Sequence, residues 1–171
     1  MITPAYVQMM ARYNQWQNDN LTTAAAQLRD DQRKEEGGAF FGTIHATFNH
    51  LIWADRYWMY RFTGSQKPPG GMAQSRLLYE QWDDLLLARA TLDQTIIAWA
   101  DGLDPAWLET DISWFSGSKQ KVMAQPIAQA VTHVFNHQTH HRGQIHALLT
   151  RFGVVPQDTD LVFMELGSHK H

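Results

Sequence analysis

The chain contains no cysteine. Disulfides, thiolate metal ligands and a cysteine nucleophile are excluded together, and the composition is compatible with a reducing cytoplasm. Concentrated positive charge is also missing: there is no block of Lys or Arg, and the formal net charge is −3. Neither nucleic acid nor an anionic membrane surface is therefore an expected partner. No Gly-rich phosphate loop and no Gly-x-Ser-x-Gly elbow occurs, which removes two common catalytic frameworks. Long apolar runs are absent too. Residues 37–54 carry no Asp, Glu, Lys or Arg, yet two His, an Asn and two Thr make that stretch a poor membrane span. The opening Met1-Ile-Thr-Pro lacks the basic-then-apolar pattern of a signal peptide. A soluble, cytoplasmic protein is the expectation.

What is present is enough to build a core. Of the 171 residues 44% are hydrophobic, with seven Trp and eight Phe, and a single domain over residues 1–171 is expected. Thr3-Pro4 reads as a helix cap followed by proline in the first turn, and Tyr6, Val7, Met10, Tyr13, Asn14, Leu21 and Leu28 continue at helical spacing. The polar run 29–36 and the Gly37-Gly38 pair end that helix. A second helix is expected from Phe40 to about Phe62, followed by a loop over Gly64–Gly71. Leu78, Trp82, Leu85, Arg89, Leu92, Ile96 and Trp99 alternate steps of four and three, a heptad-like stripe broken only by Arg89. Residues 108–124, with Ile112, Trp114, the Ser116-Gly117-Ser118 turn and Val122, suggest extended chain and a short hairpin. A fourth helix starts near Pro126 and stops before Gly153. The expected fold is thus all-α, a four-helix bundle with long connections.

Five of the nine histidines fall in the fourteen residues His133 to His146. At 100° per residue, His133, His137, His140 and His141 share an arc of about 100° on the fourth helix, while His146 points elsewhere. His137 and His141 have the i, i+4 spacing by which one helix offers two imidazoles to one metal ion. A site needs a third ligand from a facing helix. The choice lies between His45 and His50, about 140° apart on the second helix, with the main apolar stripe between them. Periodicity alone does not choose.

Several segments together resemble the DinB family of small four-helix-bundle proteins, whose superfamily takes in mycothiol-dependent enzymes such as maleylpyruvate isomerase. They are Tyr13-Asn-Gln-Trp16 with Asn18 and Asn20, the run Thr43 to Trp58 containing His50-Leu-Ile-Trp-Ala-Asp55, His137-Gln-Thr-His-His141-Arg-Gly-Gln144, and Pro156-Gln-Asp-Thr-Asp160. The resemblance implies that His50 joins His137 and His141 as the metal ligands. It further implies a divalent transition metal, nickel or zinc, and pairing as a homodimer.

Three neutral imidazoles would leave such an ion its full charge and an open position, as catalytic rather than closed structural sites do. A metal-dependent enzyme is the resulting expectation: a transferase or isomerase acting with a low-molecular-weight thiol, or a metal-assisted hydrolase. The alternative is a non-catalytic, stress-associated metal-binding or interaction protein. Asp55, Gln144, Asn14 and Asp160 are the candidates for orienting the rings. His133 and His140 are expected to be non-ligating neighbours, His45 and His146 ordinary surface or packing residues, and His169 and His171 tail. Arg142 is expected to meet a carboxylate inside the bundle, with an anionic substrate as the other use. Gly143 is expected to permit close helix approach.

Overall fold

The computed structural model describes residues 1–117 and 119–165, so His169 and His171 lie outside the described residues. Helix α1 spans Pro4–Ala26, and its start is dictated by the sequence: Thr3 caps it by accepting a hydrogen bond from the Tyr6 N–H, with proline in the first turn. The polar run behind it is more than a breaker. Asp30–Arg33 forms a short helix, α2, whose Arg33 is buried, donates to the carbonyls of Ala25 and Leu28, and stacks over Trp82.

Helix α3 spans Ile44–Thr63, starting four residues later than the apolar pattern suggests. Gly42 sits at φ +82°, a left-handed conformation that breaks the chain, and Thr43 caps the new helix by accepting from the Ala46 N–H at 3.0 Å. Gly64, at φ +71°, closes the helix with a left-handed cap. The connection contains a 3-10 turn at Met72–Leu77 that packs back on α3. Helix α4 is Trp82–Asp101, beginning one turn after Leu78. The expected hairpin is present: β1 (Asp111–Ser116) pairs antiparallel with β2 (Lys121–Pro126), Trp114 opposite Met123. Helix α5 runs Ile127–Arg151. Among the described residues the chain is mostly helical with one two-stranded sheet, and no helix is long and apolar enough to cross a membrane.

The four long helices form a ring in which α1 touches α4 and α5, and α3 touches the same two. Consecutive helices α1 and α3 therefore stand diagonally, as do α4 and α5. The interior carries Val7, Leu21, Phe48, Leu85, Ile96, Val131, Phe135 and Ile145, each at most 2% exposed. Past α5 the chain folds back across α1. Asn20 exchanges hydrogen bonds with the Gln157 backbone (2.8 and 3.0 Å), Gln17 donates to the Asp158 carbonyl, and the Tyr13 hydroxyl donates to the Thr159 carbonyl at 2.7 Å.

Arg89, the break in the apolar stripe, is the centre of a buried polar network. It donates to Asp55 on α3 at 2.6 Å and to both oxygens of Asp93 on α4 at 2.8 and 3.1 Å. Asn18 of α1 completes Asp93, and Gln138 of α5 donates to the other Asp55 oxygen at 2.7 Å. Removing one member of a buried charge pair strands its partner, a cost of about 3–5 kcal/mol. Arg89→Ala is expected to lose about that much stability in urea unfolding, whereas an exposed helix pair such as Lys34–Asp30 should change it by no more than about 0.5 kcal/mol. Equal losses at the two sites would show that the network contributes nothing special.

Candidate metal centre

Helices α3 and α5 bring His50, His137 and His141 together. His137 Nε2 lies 3.2 Å from His50 Nε2 and 3.1 Å from His141 Nε2, and one nitrogen from each ring fits within 4.8 Å of the others. His50 is 1% exposed, His141 is buried and His137 half-buried. Phe41, from the turn before α3, stacks on the His50 ring at 3.8 Å.

The hydrogen bonds assign the protons. The Ser75 hydroxyl donates to the Met72 carbonyl at 2.7 Å, so towards His50 Nδ1, 2.9 Å away, it can only accept. His50 thus carries its proton on Nδ1 and presents a lone pair at Nε2. Gln144 Oε1 accepts from His141 Nδ1 at 2.8 Å, with the same result for His141. Two lone pairs consequently face His137 Nε2, which has at most one proton to give. Charging a ring does not relieve the conflict. Burial, reinforced by the neighbouring His137 and His141, pulls His50 down to about 3, and burial with His141, His133 and His140 pulls His137 to about 3. A cation satisfies all three nitrogens at once. Ligands on a tetrahedral ion with metal–nitrogen bonds of about 2.0–2.1 Å stand about 3.3 Å apart, close to the two spacings from His137, with all three nitrogens within 4.8 Å. The residues fit a metal.

The other described histidines do not join this cluster. His45 is buried on a different face of α3 and its Nε2 donates to the Tyr79 carbonyl at 2.7 Å. His133 is exposed beside Trp58, and His140 is exposed and bonded to Gln144 Nε2. His146 is half-buried and lines a separate cleft with Arg142.

Of the residues expected to orient the rings, only Gln144 does so. Asp55 is committed to Arg89 and Gln138, Asn14 to Asp93 and Arg142, and the Asp160 backbone starts a 3-10 turn. Ser75 carries no signal in the sequence; nothing in a Pro/Gly-rich connection marks one serine as a histidine partner. Arg142 meets Asn14 and Thr139 rather than a carboxylate. A side chain at Gly143 would meet open space, so that glycine is no close-approach point.

The sequence profile of the DinB family matches residues 1–169. The chain belongs to the DinB family. Protein DinB of Bacillus subtilis (strain 168) is 23% identical over 163 residues, covering 86% of this chain and 87% of that relative. Within this DinB-family chain, the three-histidine cluster lies inside the matched region, and family and cluster together suggest a divalent metal.

The lowered basicity of His50 and His137 has a consequence for the metal-free protein. Folded, these rings stay neutral down to about 3; unfolded, they take up protons near pH 6.5. Their contribution to stability is therefore fully present above about pH 6.5 and lost as the pH falls towards 3, by up to about 1.4 kcal/mol per pH unit per ring. Urea midpoints of chelator-treated protein should be lower at about pH 5.5 than at about pH 7.5, with a smaller difference in His50→Gln. A pH difference unchanged by His50→Gln would contradict the neutral cluster.

Proposed function

We propose that this protein binds a divalent transition metal, nickel or zinc, through His50, His137 and His141, and uses it as a metal-dependent enzyme. The observation that carries the reading is the convergence of three imidazole nitrogens, two with lone pairs assigned by their own hydrogen bonds, on a point that no proton can satisfy. No Asp, Glu or further His joins the three among the described residues, which favours an ion with an open position over a closed structural site.

Bound there, the ion would supply an electrophile that lowers the pKa of a water or holds a substrate thiol as its thiolate. The chain's own residues do the rest. Ser75 and Gln144 hold two rings in the ligating tautomer. Phe41 covers the His50 face and keeps bulk water from it. The resemblance to the family favours a transferase or isomerase acting with a low-molecular-weight thiol, with metal-assisted hydrolysis as the second chemistry. It also favours a homodimer. A cytoplasmic location agrees with the cysteine-free composition.

Metal content by plasma mass spectrometry on untagged protein is the direct test. The parent should carry a near-stoichiometric transition metal, and the His137→Ala/His141→Ala variant should lose it. His50→Ala should lose it as well, while His45→Ala and His146→Ala keep it. Parent protein that stays metal-free after incubation with excess nickel and zinc would sink the proposal.

The orienting residues give a graded outcome. Ser75→Ala should weaken metal affinity about 10–100-fold without abolishing it, as losing a histidine's supporting partner does elsewhere. Competition with a chelator of known affinity would measure this, and an unchanged affinity would remove Ser75 from the site.

A further inference from the structure

One cationic cavity takes no part in the metal centre. It lies between the C-terminal end of α3 and the hairpin, has a volume of about 620 Å³, and is lined by Tyr57, Tyr60, Arg61, Lys67, Trp114 and Phe115 among others, with no acidic residue. That volume falls in the range of small-molecule pockets.

Arg61 is its most unusual component. The guanidinium carbon stands 4.4 Å from the Trp58 ring centre, 4.5 Å from Tyr57 and 5.0 Å from Trp114. Burial lowers its pKa, and the groups that offset this are the hydroxyl-bearing rings of Tyr57 and Tyr60, not an acid. No described carboxylate lies within ion-pair distance of it. With rings packed around the guanidinium and the Tyr57 oxygen accepting one hydrogen bond, the other N–H groups remain for an acceptor, and a planar carboxylate can take two of them in parallel hydrogen bonds. Lys67, 5.6 Å above the Tyr57 ring, adds a second positive charge. Tyr60, 37% exposed and one residue before Arg61 on the cavity wall, offers a ring against which a flat apolar body can stack.

We infer that this cavity binds a small carboxylate with an aromatic or similarly flat body, the carboxylate on Arg61 and the body against the Tyr60 ring. A chain of ring contacts joins its wall to the histidine cluster. Trp58 touches both Trp114, at 5.5 Å, and His133, at 5.3 Å, and His133 in turn neighbours His137 at 5.7 Å. The inference stands on the cavity alone and does not need the metal.

Calorimetric titration of the full-length protein with benzoate and with benzylamine tests it. Benzoate should bind the parent and the His137→Ala/His141→Ala variant alike, and benzylamine neither. Arg61→Gln should weaken benzoate at least about tenfold, the scale of lost hydrogen bonds to a charged group. Arg61→Lys, which keeps the charge but loses the fork, should fall between. Absence of benzoate binding, equal binding of benzylamine, or indifference to Arg61→Gln would each overturn the inference. Loss of benzoate binding in the histidine variant alone would place the carboxylate on the metal ligands instead, and so overturn it as well. None of these results alters the metal-content test.

Discussion

Arg89 is held between two carboxylates in the middle of the bundle, and the remaining geometry depends on that arrangement. Arg89 and Asp55 are each 2% exposed and Asp93 is 1% exposed, so each would carry a heavy desolvation cost alone. Together they are satisfied, and the acceptors left over reach out to every long helix: Asn18 on α1, Gln138 on α5, with Asn14 linking Asp93 to Arg142. Gln138 lies about 60–100° round α5 from the two histidines of that helix. Pinning Gln138 to Asp55 therefore fixes how α5 is rotated against α3, and with it where His137 and His141 point. The apolar residues make the bundle stable; the polar network makes it take one rotation.

A second set of contacts fixes the outer edge. The amide side chains of α1 that look out of place in a core, Gln17 and Asn20, satisfy backbone groups of the segment after α5. That segment has no regular structure of its own over residues 154–160, so its polar groups need partners from elsewhere. Two motifs far apart in sequence, one in the first helix and one near the end, are the two halves of this clasp.

Much of this is legible in the sequence because it rests on short-range periodicity. The four helices, the hairpin and the i, i+4 pair His137 and His141 all arise from spacing within one element. Boundaries are less legible where local chemistry intervenes: Gly42 and Thr43 reset the start of α3 past Phe40, which is exposed. The third histidine is harder. His45 and His50 are both buried, one against the Tyr79 carbonyl and one against α5, so burial does not discriminate and only the facing helix does. Arg89 reads as a fault in a stripe because its partners include groups on other helices. Ser75 is invisible for the same reason, since its role exists only once the connection folds back onto α3.

The diagonal path of the chain gives the histidine cluster a further meaning. His50 and His137 are 87 positions apart, and everything between them, including all of α4 and the hairpin, forms one excursion that leaves α3 and returns on α5. An ion shared by these rings would close that excursion into a ring of covalent and coordinate bonds. The free-energy cost of bringing the ends of so long a loop together grows only as about (3/2)RT ln n, and an unfolded chain would have to bear it to keep the ion. In a protein without cysteine, such a closure would be its counterpart of a disulfide, made and broken by metal supply instead of by redox state.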